Sequence, residues 1–480
     1  MCDWEWESFE HLIGAGSFEI ENAGPLRAPV RNFSIKRNEK LQLILETRAS
    51  GTAASESGNS FPLGTVRVNT DAVTFVNGKG TRLVAAGVQS RTQRTSITAD
   101  SPMGEMLETS SVHSLKGTIA PYRDPNYVIE WLANVDDVFS WPNMIVNESV
   151  VTKTRTLRGG DHEPVLRWSR ESGGGGWSCV KLDVDGYDFF LCVAKPTVAG
   201  GINKPGFILY AGNPPDELRD KVKRCLSFCL GKYLVYLGYS RFCEDGLLVS
   251  FEAVSAYSLG GRAFELPAMP PSPLGTRSLW EIDRDILSRM VNSLYSHYDT
   301  LRFGKLTWAY WHALCATPHI AAVHFGAAAE ALQRAYLKAS KHTIKTKLVE
   351  GEDWKTMKSS MKSVISGSTV SADVKRLLEN KLGELNAVPQ SVVTERVLES
   401  LQIKLGERER KVWTRRNVAA HGSGSDEDLE LIRDLKILRL RFHRMLLSIT
   451  NASDFYYDYF SIGQVGAAYY PARRLKEPIP

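Results

Sequence analysis

The feature that most constrains this chain is a change of texture at "LPAMPPSPLGTR", Leu266–Arg277. It holds four prolines in twelve residues. Proline lacks an amide hydrogen and fixes φ, so neither a helix nor an interior strand runs through such a stretch. Before it, segments rich in Val, Ile, Phe and Tyr alternate with turn signals. After it, apolar residues recur at helical spacing. A chain of 480 residues is long enough for two or three domains. The expected fold class is therefore α+β multidomain. Residues 1–265 should form a mostly antiparallel, sandwich-like β domain, 266–277 a linker, and 278–480 an all-α bundle with an aromatic C-terminal tail.

In the β half, "SFEIEN", "NFSIKR", "LQLILETRA", "AVTFVNG", "VKLDVDGYDFFLCVA" and "GFILYAG" read as strands. Asn77-Gly78 and Asp185-Gly186 read as turns, and Cys243-Glu244-Asp245-Gly246 as a hairpin loop. "DELRDKVKRCLSFCLGKY" is an isolated amphipathic helix, with Leu218, Val222, Cys225, Leu226 and Cys229 on one stripe. The glycines of Glu171–Ser178, "ESGGGGWS", read as a flexible loop. They lack the Lys-Ser/Thr of a phosphate loop.

In the helical half, Ser278-x-x-Glu281 has the spacing of a capping box opening the first helix. "AAVHFGAAAEALQRAYLKAS" reads as a central helix. Further helices are expected at about 372–385, 392–415 and 426–450. Arg334 to Lys362 carries eight Lys/Arg against three acids, a pattern of solvated helix faces that also suits phosphate attraction. His312, His319 and His324 read as core or helix-surface residues. The aromatic run "DFYYDYFSIGQVGAAYY" reads as packing surface before base-stacking surface.

Several function classes recede on composition. The seven cysteines form no CxxC pair, so no zinc framework is expected and no metal or other cofactor is assigned. No run of about 20 apolar residues suggests a membrane span. The first residues, "MCDWEWESFEHLIG", lack the basic and apolar regions of a signal peptide. A cytoplasmic protein is expected. The net charge of +5 permits a nucleic-acid partner without requiring one.

The chemistry-bearing stretch is "WTRRNVAAHGSGSDEDLE", Trp413–Glu430. Arg416 and His421 are five apart, so on a straight helix they would point about 140° away from each other. If the helix ends near Ala420, with Gly422 in the left-handed conformation, His421 is freed to turn back toward the arginine. Ser425 would cap the next helix, with the following acids complementing its dipole. Metal-free RNA cleavage needs a base for the 2′-hydroxyl proton, an acid for the leaving oxygen and positive charge at the phosphorane. Histidine transfers protons near neutral pH, and a neighbouring Arg415/Arg416 pair would favour its neutral, basic form. Arginine grips phosphate in bidentate fashion. Asn417 can orient either group.

The string Arg416-Asn417-x3-His421-Gly422 resembles the signature of the HEPN superfamily, whose nucleases carry Arg-polar-x3–5-His at a helix end. The resemblance covers about residues 278–450. Glu330 and Arg334, in "AAAEALQRAY", match a second HEPN-like element, Glu-x3-Lys/Arg. The layout of a β-rich first half and a C-terminal HEPN domain looks like ApeA-like anti-phage defence proteins. The resemblance implies a metal-independent endoribonuclease toxin of abortive infection, cutting RNA, with tRNA one candidate. It implies a homodimer or higher oligomer through the helical domain, with two motifs facing each other across a two-fold axis. The β domain would sense a phage-derived trigger. Arg416 and His421 would be catalytic with Asn417 orienting them, and Arg415 is the alternative arginine. Glu330 and Arg334 would support the site. Lys338, Lys341, Arg410 and Lys411 would contact RNA. The competing reading is a catalytically inactive HEPN dimerisation module whose β domain binds a protein or glycan.

Overall fold

The computed structural model describes residues 12–13, 18–26, 30–50, 72–98, 101–135, 138–156, 165–194, 204–276, 278, 280–340, 344–412, 428–461 and 471–479. They show an α+β multidomain protein with two compact units, Met1–Pro270 with Leu274–Asn292 and Pro271–Pro273 with Ser293–Pro480.

The first unit is built on strands β1 (Phe18–Asn22), β2 (Val30–Arg37), β3 (Leu43–Ser50), β4 (Val73–Asn77), β5 (Arg82–Ala86), β6 (Gln89–Thr98), β7 (Ser101–Val112), β8 (Ser114–Thr118), β9 (Tyr127–Leu132), β10 (Asn143–Thr156), β11 (Val165–Val184), β12 (Tyr187–Val193), β13 (Gly206–Ala211), β14 (Tyr236–Phe242) and β15 (Leu248–Val254). Among the described residues they form an 11-stranded sheet, ordered β1-β4-β5-β8-β15-β14-β9-β13-β12-β11-β10, and a four-stranded sheet, β2-β3-β7-β6. Every strand pairing is antiparallel. Phe33 of β2 stacks on Phe75 of β4, with ring centroids 4.1 Å apart, so the two sheets meet through their apolar faces. Helix α1 (Asp216–Cys229) buries the predicted stripe Leu218, Val222, Cys225, Leu226 and Cys229. A buried Arg219–Glu130 ion pair, 3.0 Å, ties it to β9.

Local turn chemistry explains the hairpins. Val184 pairs with Tyr187, and the two residues between, Asp185 and Gly186, have φ of 52° and 81°. Those are the two positive φ angles of the turn that matches strand twist, and Asp-Gly tolerates them. Asn77-Gly78 behaves differently. Asn77 Oδ1 accepts from the amides of Lys79 (3.0 Å) and Thr81 (2.9 Å), and Gly80 takes the left-handed conformation in a longer loop. The glycine run corrects its expectation: Gly173–Gly176 lies inside β11, paired residue by residue with Glu148 to Ile145 of β10. Composition favours a loop there, but the ladder satisfies the backbone groups and holds the glycines extended.

The proline-rich segment is pinned within each unit. Met269 N–H donates to Gly231 (3.2 Å), and Asp283 N–H to Leu274 (2.6 Å). In the second unit, Tyr457 N–H donates to Pro271 (3.1 Å), and the hydroxyls of Ser272 and Ser453 bond at 2.7 Å. Gly231 closes α1 with φ of 63°, and a Cβ there would lie 1.9 Å from the Met269 oxygen and 2.4 Å from the Pro270 nitrogen. Backbone cannot step aside as a side chain can. Gly231→Ala is expected to cost roughly 2–5 kcal/mol, from left-handed strain and overpacking together. Gly78→Ala, with nothing within 4 Å, serves as the control and should stay within about 0.5 kcal/mol. Urea unfolding of both variants checks this.

Helix α2 (Arg284–Ser296) starts later than the Ser278/Glu281 spacing suggests. Asp283 Oδ1 accepts from the amides of Asp285 (2.9 Å) and Ile286 (3.0 Å), so Asp283 is the cap. Glu281 instead accepts from the Thr276 amide at 3.0 Å. Residues 278–292, expected to open the helical half, group with the β unit, as does 274–277 of the expected linker. Arg284 donates to the Lys181 carbonyl (3.2 Å), and Asn292 to that of Asp183 (2.9 Å).

The second unit contains α3 (Tyr298–Leu301), α4 (Phe303–Cys315), α5 (Pro318–Ala339), α6 (Gly351–Gly367), α7 (Ala372–Glu384), α8 (Gln390–Ser400) and α9 (Asp428–Thr450). Pro318 opens α5 at a position where no amide is needed. Helices α4, α5 and α9 enclose a core of Leu306, Tyr310, Phe325, Leu332 and Phe442. Helix α6 buries no residue, so much of the basic run lies on a solvated face. The expected helix 392–415 is interrupted. Chain 401–406 is non-helical, with Gln402 at φ of 57°, before helix resumes over 407–412. Gly406 was the local signal, and its amide is capped by Glu409 Oε2 at 2.8 Å. Of the aromatic tail, Tyr456, Tyr457 and Tyr459 are buried, and β16 (Phe455–Tyr457) pairs with β17 (Ala472–Arg474).

Candidate functional site

Arg415, Arg416, Asn417 and His421 lie outside the described residues, as do Lys341 and the Gly422 and Ser425 positions that would end and restart the helices. What the structure places is the frame on either side. Arg408, on the helical stretch before the motif, pairs with Glu430 of α9 at 2.7 Å and approaches Asp434 at 3.7 Å. Arg433 holds the other Glu430 oxygen at 2.6 Å. Its hydrogen bond, with the positive charge of Arg408 and Arg433, lowers the Glu430 carboxyl from its usual range. The residues entering and leaving 413–427 are thereby joined.

A deeper cluster fixes the same frame. Arg444 and Glu409, both fully buried, pair at 2.6 Å. The guanidinium also donates to the carbonyls of Leu475 (3.0 Å) and Lys404 (2.9 Å). Glu409 Oε2 accepts from the Ile479 amide at 3.1 Å as well as from Gly406. Arg410 and Lys411 stay exposed on the opposite side of this stretch, with Lys411 bound to Glu407 at 2.6 Å. The other expected supports sit on α5. Arg334, largely exposed, pairs with half-buried Glu330 at 3.1 Å, and Lys338 is exposed one turn further on.

Nothing among known families, curated proteins or solved structures matches this chain. The HEPN resemblance therefore rests on the motif residues. Among the described residues, no group of three His, Cys, Asp or Glu side chains is placed to hold a metal ion, and no helix is long and apolar enough to cross a membrane. Burial pushes the Cys225 and Cys229 thiols well up, away from the reactive thiolate form.

Sequence reasoning passed over His443. It is fully buried on α9, with its Nε2 2.9 Å from the Tyr310 hydroxyl, which also accepts from Arg439 at 3.1 Å. No local signal marks it, since it stands among Arg439, Arg441 and Arg444 as a surface histidine would. Burial, reinforced by Arg439, holds His443 well below the usual histidine range, so it is neutral in the fold. The unfolded chain takes up a proton below about pH 6.5 and the folded chain does not. Stability from this site is thus complete above that pH and falls as pH drops toward the folded value, by up to about 1.4 kcal/mol per pH unit. Urea midpoints at pH 7.5 and 5.5 should fall more for the native chain than for His443→Gln. Equal falls would remove His443 as the cause.

Proposed function

We propose that the chain is a metal-independent endoribonuclease of bacterial anti-phage defence, an abortive-infection toxin that cuts RNA, with tRNA a candidate substrate. The observation that carries this is the string Arg416-Asn417-x3-His421-Gly422, bounded by helical flanks that Arg408 and Glu430 join at 2.7 Å. In the proposed reaction His421 takes the 2′-hydroxyl proton and the 2′ oxygen attacks phosphorus. Arg416, or Arg415 in its place, steadies the phosphorane charge; the P–O5′ bond breaks to leave a 2′,3′-cyclic phosphate, and the 5′ oxygen takes up the proton that His421 removed. Asn417 orients the pair. Exposed Arg334, Lys338, Arg410 and Lys411 supply cations for the strand. The active form is a homodimer or higher oligomer through the helical unit, in the cytoplasm. The β unit keeps it silent until a phage-derived trigger arrives.

Cleavage should persist in EDTA and leave 5′-hydroxyl ends that accept phosphate directly from a polynucleotide kinase. Loss of cutting in EDTA, or 5′-phosphate ends, would overturn the mechanism.

A second reading, an inactive interaction module whose β unit binds a protein or glycan, draws on the α6–α7 hairpin. Met357, Met361 and Val364 on α6 and Leu377 and Leu378 on α7 are all exposed, apolar side chains of the kind a partner surface covers. Overexpression separates the readings: growth arrest that disappears with His421→Ala supports the nuclease, and no arrest supports the module.

A further inference from the structure

Trp308 on α4 is 54% exposed, and unlike Trp177, exposed at 69% on β11, it stands against two histidine rings. It is not loosely held. Its ring centroid lies 3.9 Å from that of His312, at 30°, and 6.3 Å from that of His324 on α5, edge-on. The His312 ring is fixed by its Nδ1, which donates to the Trp308 carbonyl at 2.8 Å. The two imidazoles are 6.2 Å apart. An indole buttressed on one side and largely open to water is a rigid aromatic plate.

What lies beyond the plate indicates its partner. On α5, positions 320, 324, 327, 331, 334 and 338 fall within about 80° of arc, and all are exposed or half-exposed. Between the rings and the cations this face carries only Ala327 and Ala331, which leave the surface low. From Arg302 to Ser340 the acid is Glu330 alone, against Arg302, Lys305, Arg334 and Lys338. The Trp308–His324 and Tyr310–Phe325 contacts run α4 and α5 antiparallel, so Arg302 and Lys305 lie toward the Glu330 end of α5. His324 and Arg334 are ten residues apart, about 15 Å along the helix. An aromatic plate followed by a shallow, cationic track suits a flexible polyanion with flat bases. A protein helix would instead want an apolar seam along its whole length, whereas here Ile320 and Val323 are exposed only at the ring end and the face runs out in Arg334 and Lys338.

We propose that Trp308, set by His312 and His324, stacks an unpaired base of single-stranded RNA, and that Arg334 and Lys338 hold the phosphates of the adjoining nucleotides. The substrate class rests on the ribonuclease reading, and the plate gives it a preference for unpaired over duplex RNA.

The test is fluorescence anisotropy of a labelled 12-nucleotide single-stranded RNA on the full chain carrying His421→Ala, so that nothing is cut. Adding Trp308→Ala should weaken binding about 5- to 150-fold, the range of one aromatic–base stack. Trp308→Phe should recover most of it, and a blunt duplex of the same sequence should bind equally with and without Trp308. Circular dichroism melting of both variants should match the parent. Unaltered single-strand binding by Trp308→Ala overturns the proposal, as does an equal loss on duplex. An altered mass in light scattering with RNA binding intact assigns the indole to a protein contact and overturns it too. Cutting by the native chain is scored in parallel. Cutting without Trp308-dependent binding removes the plate and leaves the nuclease. Trp308-dependent binding without cutting does the reverse.

Discussion

Purified Arg416→Ala and His421→Ala variants are each expected to lose about 10²–10⁴-fold in RNA cleavage, the usual weight of one positioned proton-transfer or charge-stabilising group. The two losses should not add. In the proposed reaction both groups act on one transition state, so the double variant should be little worse than the poorer single one. Arg415→Ala discriminates within the pair: if it costs more than Arg416→Ala, the roles of the two arginines exchange. Circular dichroism should match the native chain, because the Arg408–Glu430 and Arg444–Glu409 contacts that join the flanks do not involve these side chains. Undiminished cutting by His421→Ala would sink the assignment.

The second large effect is on stability. Arg444→Met should destabilise the helical unit by about 3–5 kcal/mol, read from urea unfolding. The loss is not that of one ion pair. The substitution strands the Glu409 carboxylate in a site where neither partner side chain is exposed, and it leaves the carbonyls of Leu475 and Lys404 without their donor. Glu409→Gln in the same chain should restore part of the stability by removing the orphaned charge. Cleavage should fall as well, since the cluster fixes both the stretch that leads into the motif and α9 that leaves it. Full activity in Arg444→Met would show that this frame does not position the motif.

Much of the fold was legible where the controlling forces are local. Asp185-Gly186 specifies its turn because aspartate and glycine tolerate positive φ. The stripe from Leu218 to Cys229 specifies an amphipathic helix because its apolar groups recur at the helical period. Glu330 and Arg334 meet because four residues bring side chains onto one helix face. The motif from Arg416 to His421 stands on the sequence alone, since it lies outside the described residues.

Tertiary structure decided what depends on distant partners. Gly173–Gly176 is strand only because β10 offers it a ladder of amides and carbonyls. The helix from 390 stops at Ser400, and the next begins against Glu409, whose own partner stands 35 residues further on at Arg444. Nothing near Arg444 or His443 marks them as buried, since ordinary surface arginines and histidines have the same neighbours in sequence. A charge or imidazole inside a core is tolerated only when the whole fold brings hydrogen-bond partners to it. Spacing along the chain can therefore nominate an arginine and a histidine for chemistry, while only packing determines which of the others became struts.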